Sequence, residues 1–193
     1  MWHQITVTTC SDIKMNTLSL EDFHADNFFP SDYTILQRGQ SRNATPKPDL
    51  SGKVAPDWTL RDFNEKNVSL ADFKSKVLLI NFTGIGCGPC LLAIPFLKKL
   101  KEDHNPEDFD LVAIECWKRP LHSLQSYATK NGFNYPFLSA TDDLIANYQM
   151  SGAVPVFLVL DQQRVVKKII TGYTPQTTDE EITNCINELL SRL

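Results

Sequence analysis

The sequence predicts a three-layer α/β fold: a central mixed β-sheet with helices on both faces, preceded by a β-hairpin and an extra N-terminal arm. Three observations carry this. Strand-like and helix-like patterns alternate between residues 76 and 130 as β-α-β-α, which requires a parallel strand pair joined by a crossover helix. The segment Lys76 to Thr83 is apolar at nearly every position, as expected of a strand covered on both faces. Near the C-terminus, Val156-Phe157-Leu158-Val159-Leu160 and the run Arg164 to Ile170 flank Asp161-Gln162-Gln163, an antiparallel hairpin that makes the sheet mixed.

Taken in order, residues 1–50 look unlike the rest. Trp2 to Thr9 alternates imperfectly and reads as one strand, and Leu18 to Phe29 as a short helix or surface-hugging segment. Residues 38–52 are rich in Gly, Ser, Asn, Pro and Lys and read as a linker. Residues 1–50 are therefore expected to be an arm, a dimer contact or the tail of an upstream domain, and 51–193 the α/β domain. In that domain, residues 55–60 and 67–70 flank Asn64-Glu65-Lys66 as a hairpin, and residues 71–74 form a single helical turn. A helix starts after Cys87 and runs to about His104, kinked by Pro95. Phe109 to Cys116 is the next strand. Pro120 to Lys130 is a helix with Pro120 in its first turn and Asn131-Gly132 at its end. Thr141 or Asp142 caps a short helix to Tyr148, and Thr177 or Thr178 caps the last one, which carries Ile182, Ile186, Leu189 and Leu190 on one face.

The 193 residues carry a net charge of −4 and have a pI near 5.5, which argues against nucleic acid as a partner. No stretch approaches ~18 consecutive apolar residues, so no membrane span is expected. The N-terminus lacks the basic and apolar regions of a secretory signal. The protein is expected either to be cytoplasmic or to have its export signal outside this sequence. Of five cysteines, Cys10, Cys116 and Cys185 have no paired spacing and read as small buried hydrophobes. Only Cys87 and Cys90 form a close pair, so no four-ligand zinc site is expected.

That pair carries the chemistry. Cys87-Gly88-Pro89-Cys90 sits where a buried strand turns into a helix. Unpaired N–H groups and the positive end of the helix dipole stabilise a thiolate there, and the thiolate is the nucleophile in disulfide exchange. Cys87 is the expected attacking thiol, partly exposed, and Cys90 the more buried thiol that resolves the mixed disulfide. Gly88 lets a substrate backbone approach, and Pro89 occupies a first-turn position where its missing N–H costs nothing. The alternative is an inert structural disulfide.

These residues resemble the thioredoxin-like superfamily over about residues 54–193. The hairpin, the Ala55-Pro56-Asp57 opening and the helices at 120–148 look like the TlpA and ResA type of extracytoplasmic thiol-disulfide oxidoreductase. Cys87-Gly88-Pro89-Cys90 matches the family's redox motif, Pro95 its helix-kinking proline and Val154-Pro155 its cis-proline site. The resemblance implies a cis Pro155 that leaves the Val154 backbone free to pair with an extended substrate. It also implies a thiol pKa for Cys87 near ~7 against ~8.5 for a free thiol. Three positions depart from the pattern. Gly86 replaces a Trp, Asn81 replaces a buried Asp, and Ala93 replaces a Glu of the ResA type. Both customary proton-handling carboxylates are therefore absent, and Asn81 cannot take a proton. Glu115, at the end of the neighbouring strand, is the candidate replacement, weighed against a solvated strand-end glutamate. Trp117 either covers the site in place of the missing tryptophan or belongs to the core. Strand alternation points Cys116 away from Glu115. His104 and His122 read as surface histidines, and Lys98, Lys99 and Lys101 as a solvated helix face.

The expected function is a thiol-disulfide oxidoreductase that reduces disulfides in exported proteins, periplasmic or otherwise extracytoplasmic. Apocytochromes are among the substrates the resemblance implies. Thioredoxin-type couples sit at about −270 mV and strong oxidants at about −120 mV, which favours a reductant. Its partners would be protein dithiols or disulfides and a redox partner protein, with a membrane tether compatible with such a role. No cofactor or metal is expected. Two alternatives stand: a thiol peroxidase of the redoxin type, although the required Pro-x-x-x-Thr-x-x-Cys pattern is missing before Cys87, and a copper-binding module using Cys87, Cys90 and a distal histidine.

Overall fold

The computed structural model describes residues 49–191. The expected strand at 2–9, the segment at 18–29, Cys10 and most of the 38–52 linker lie outside them. By compactness the chain divides into Met1–Ala44 and Thr45–Leu193.

The second unit opens with an antiparallel hairpin, β1 (Thr59–Asp62) and β2 (Asn67–Ser69), with Leu60 opposite Val68. Its turn is held by Asp62, whose carboxylate accepts from the Asn64 and Lys66 N–H groups. The helical turn is a 3₁₀ segment at Leu70–Asp72, closed by a reciprocal cap between Ser69 and Asp72. Strand β3 (Val77–Thr83) is buried at every residue. Helix α1 (Gly88–Asp103) follows with Pro95 inside it. Then come β4 (Phe109–Glu115) and α2 (Leu121–Asn131), the latter ended by Gly132 at φ 60°, the left-handed conformation glycine adopts at little cost. Strand β5 (Phe137–Ser139), α3 (Asp142–Asn147), β6 (Val156–Leu160), β7 (Val166–Thr171) and α4 (Thr177–Ser191) complete the unit. Thr141 caps α3 by accepting from the Leu144 N–H.

The seven strands form one mixed sheet in the order β2-β1-β5-β4-β3-β6-β7. As expected, β3 and β4 are parallel, and β6 and β7 antiparallel. Strand β5 was not expected from the sequence. It runs parallel to β4 and antiparallel to β1, so it ties the N-terminal hairpin into the sheet instead of leaving it as an appendage.

Alternation along β3 divides the core. Leu78, Ile80 and Phe82 join the cluster containing Trp58, Leu138 and Tyr148 on one face. Val77 and Leu79 join Ala93 and Leu97 of α1, Leu124 of α2, and Ile182 and Ile186 of α4 on the other. Helix α1 is thus laid along β3 and β4 with its first turn at their C-terminal ends, the usual location of sites in such sheets. No helix among the described residues is long and apolar enough to cross a membrane.

Candidate active site

The loop Gly84-Ile85-Gly86 carries the chain from β3 to α1. A turn bond from the Cys87 N–H to the Gly84 carbonyl, 3.1 Å, folds it, and Gly86 has φ 97°. That conformation suits glycine: a Cβ at position 86 would meet no atom within 4 Å, but the tryptophan that the resemblance would put there would be held in a strained left-handed backbone. Cys87 is the N-cap of α1. Its Sγ accepts from the Cys90 N–H at 3.2 Å, and the two sulfurs are joined in a disulfide. A helix-terminal N–H aimed at the sulfur is the feature that favours a thiolate once the bond is reduced.

Gly88 and Pro89 are exposed in the first turn, while Cys90 is 1% exposed. Cys87 is more covered than expected, at 8% exposed, because the β6 approach crosses over it. Its Sγ lies 3.7 Å from the Val154 carbonyl oxygen. The Val154–Pro155 peptide is cis, Pro155 is buried and Val154 is partly exposed.

Glu115 is fully buried and is the one carboxylate in the core among the described residues, not a solvated strand end. It pairs in register with Thr83, on the α1 face of the sheet by alternation. Its Oε2 accepts from the Arg119 N–H at 2.9 Å and its Oε1 from the Ile85 N–H at 3.4 Å. One carboxylate thus links the motif loop to the loop after β4. Asn81, two residues before Thr83 on β3, is 3% exposed, and its Oδ1 has no hydrogen-bond partner among the described residues.

Cys116 takes the opposite face, in the cluster with Ile114, as alternation predicts. Burial, reinforced by the neighbouring Glu115 charge, pushes its thiol up to about 12. Trp117 is not a core residue: it is 39% exposed and stacked against the motif loop. This placement needs Gly84 beneath the ring, a pairing that spacing alone does not reveal. His104 Nδ1–H donates to the Leu100 carbonyl and the ring packs on Phe109, while His122 is exposed. The lysines of α1 bind helix and strand polar groups: Lys98 the Asn131 carbonyl, Lys99 Asp103 and Lys101 Asp110. Among the described residues no group of three His, Cys, Asp or Glu is placed to hold a metal ion.

Compared with known proteins, residues 50–186 match the family model Redoxin. The chain belongs to the redoxin family. Among curated relatives, the thiol-disulfide oxidoreductase ResA of Geobacillus thermodenitrificans is 28% identical over 121 residues, 63% of this chain and 69% of that protein. ResA of Bacillus subtilis is 26% identical over 136 residues, 70% of this chain and 75% of its own. Among solved structures, a thiol:disulfide interchange protein from Bacteroides sp. superposes with a TM-score of 0.60. It is 20% identical and is matched over 71% of this chain and 90% of its own. That likeness concerns the fold, and it agrees with the three-layer thioredoxin-like architecture. For this redoxin the cysteine pair at a helix start, beside a cis-proline, is a dithiol/disulfide couple able to exchange with protein thiols.

Proposed function

We propose that this redoxin reduces disulfides in proteins outside the cytoplasm, with Cys87 attacking and Cys90 resolving. The observation that carries the reading is the Cys90 N–H on Cys87 Sγ at the mouth of α1, with the Val154 carbonyl 3.7 Å from the same sulfur. The Cys87 thiolate attacks one sulfur of a substrate disulfide. A mixed disulfide forms and one substrate thiolate leaves. Cys90 loses its proton and attacks Cys87 Sγ, so the second substrate thiolate leaves and the Cys87–Cys90 disulfide forms. Two electrons have passed to the substrate, and a partner dithiol returns them by the reverse exchange.

Glu115 is the proposed acceptor of the Cys90 proton, directly or through water, since Asn81 cannot serve. Gly88, Pro89 and the Val154 backbone form the wall against which an extended substrate lies, with Pro155 removing a competing N–H donor. A location outside the cytoplasm rests on the likeness to the TlpA and ResA type and on where disulfides persist. A tether outside the described residues is compatible with it. The test is turnover with dithiothreitol as the electron source. Insulin disulfides are reduced, Cys87→Ser abolishes the activity, and peroxide is not consumed. Peroxide turnover without disulfide reduction would overturn the reading.

A further inference from the structure

The strand-to-helix loop after β4 presents Trp117 to the site in a way that the chemistry above does not use. Lys118 turns the chain with φ 53°, and the Arg119 N–H is fastened to Glu115 Oε2. Trp117 is thereby turned outward. Its six-membered ring covers Gly84 so closely that a Cβ there would meet Cδ2, Cε3 and Cε2 at 2.7, 2.8 and 2.9 Å. Its Nε1–H donates to the Gly152 carbonyl at 3.2 Å. One side chain therefore touches both backbone walls of the site. Gly84 leads into Cys87, and Gly152 lies two residues before Val154, whose carbonyl faces Cys87 Sγ.

We propose that Trp117 is a positioning residue for the disulfide exchange described above. It sets the spacing between the loop bearing Cys87 and the loop bearing Val154 and Pro155. The rigid indole does this at low entropic cost, with an apolar body against one loop and a polar tip on the other. A substrate that binds along the Val154 backbone requires that spacing. A small disulfide that meets only the sulfur does not. The inference rests on the oxidoreductase reading, and the wild-type control separates the two. If wild type reduces no protein disulfide, the reading itself fails.

The experiment compares wild type with Trp117→Phe, which keeps a ring and loses the N–H, and Gly84→Ala, which keeps the indole and displaces it. Each is assayed on a peptide disulfide and on a small aromatic disulfide, with the Cys87–Cys90 potential and melting temperature recorded. Both variants are expected to lose about five- to tenfold in kcat/KM on the peptide, mainly through KM. In Trp117→Phe the small-disulfide rate and the potential stay unchanged. Peptide kinetics equal to wild type in both variants, or an equal loss on both substrates in Trp117→Phe, would overturn the proposal.

Discussion

Two adjacent residues at the end of β4 have opposite fates. Glu115 is buried with no cationic partner on its carboxylate among the described residues, and it is held by the Ile85 and Arg119 N–H groups. Glu115→Gln is isosteric but turns an NH₂ toward one of those donors. A destabilisation of about 1–3 kcal/mol is expected in urea unfolding, as for a buried donor left unmatched. If Glu115 also accepts the Cys90 proton, the same variant changes the shape of the pH–rate profile of disulfide reduction, and an unchanged profile removes it from that role. Cys116, one residue on, faces the other core cluster, and burial holds its thiol up at about 12. In the reduced protein at neutral pH, iodoacetamide is expected to modify Cys87 and leave Cys116 intact, as peptide mapping would register. Glu115 was legible as a candidate from its place at a strand end. Its two backbone partners were not, because both lie in loops whose course depends on the fold. Trp117 was ambiguous for the same reason: Gly84 and Gly152 are 33 residues before it and 35 after it in the chain.

Among the elements, α1 depends on a few side chains pressed onto β3 and β4. Leu97 is fully buried there with Val77, Leu79 and Leu111. Leu97→Ala is expected to cost about 2–5 kcal/mol, read from the urea midpoint, through lost burial and the cavity left behind. Because Leu97 sits near the middle of the helix, the activity of the folded fraction is unaffected. A loss of less than about 1 kcal/mol would mean that α1 is not held by this face. Strands β3, β4 and β6 were legible from their apolar runs, β1, β2 and β7 from the polar turns of their two hairpins, and helices from Pro120, Gly132 and Thr141. Strand β5 was missed because it is three residues long, follows Pro136 and has no alternation to reveal it. It exists because β4 and β1 both offer it an edge, and that is a tertiary fact. The cis state of Pro155 was likewise readable only through the family resemblance.

For the molecule as a whole, several buried acids bind their protons more tightly when folded. Burial raises Cys116 to about 12, and burial raises Tyr135 and Tyr148 above the ordinary phenol value. The folded state keeps these protons where the unfolded chain loses them, starting near about 8.5 for the thiol and about 10 for the phenols. The stability they contribute is full below those values and is lost as pH rises toward the folded ones. The urea midpoint is therefore expected to fall between about pH 9 and 12, with Cys116→Ala removing the earliest part of the decline. A midpoint that stayed level or rose over that range would contradict the burial of these groups.

The central claim is that one sulfur at the start of α1 attacks and its neighbour completes the exchange. Cys90→Ser, mixed with a peptide disulfide and examined by intact-mass and peptide mapping, tests it most directly. A stable adduct of one peptide half on Cys87, absent from Cys87→Ser, is the predicted result. No adduct, or an adduct that forms as readily on Cys185, would contradict the account.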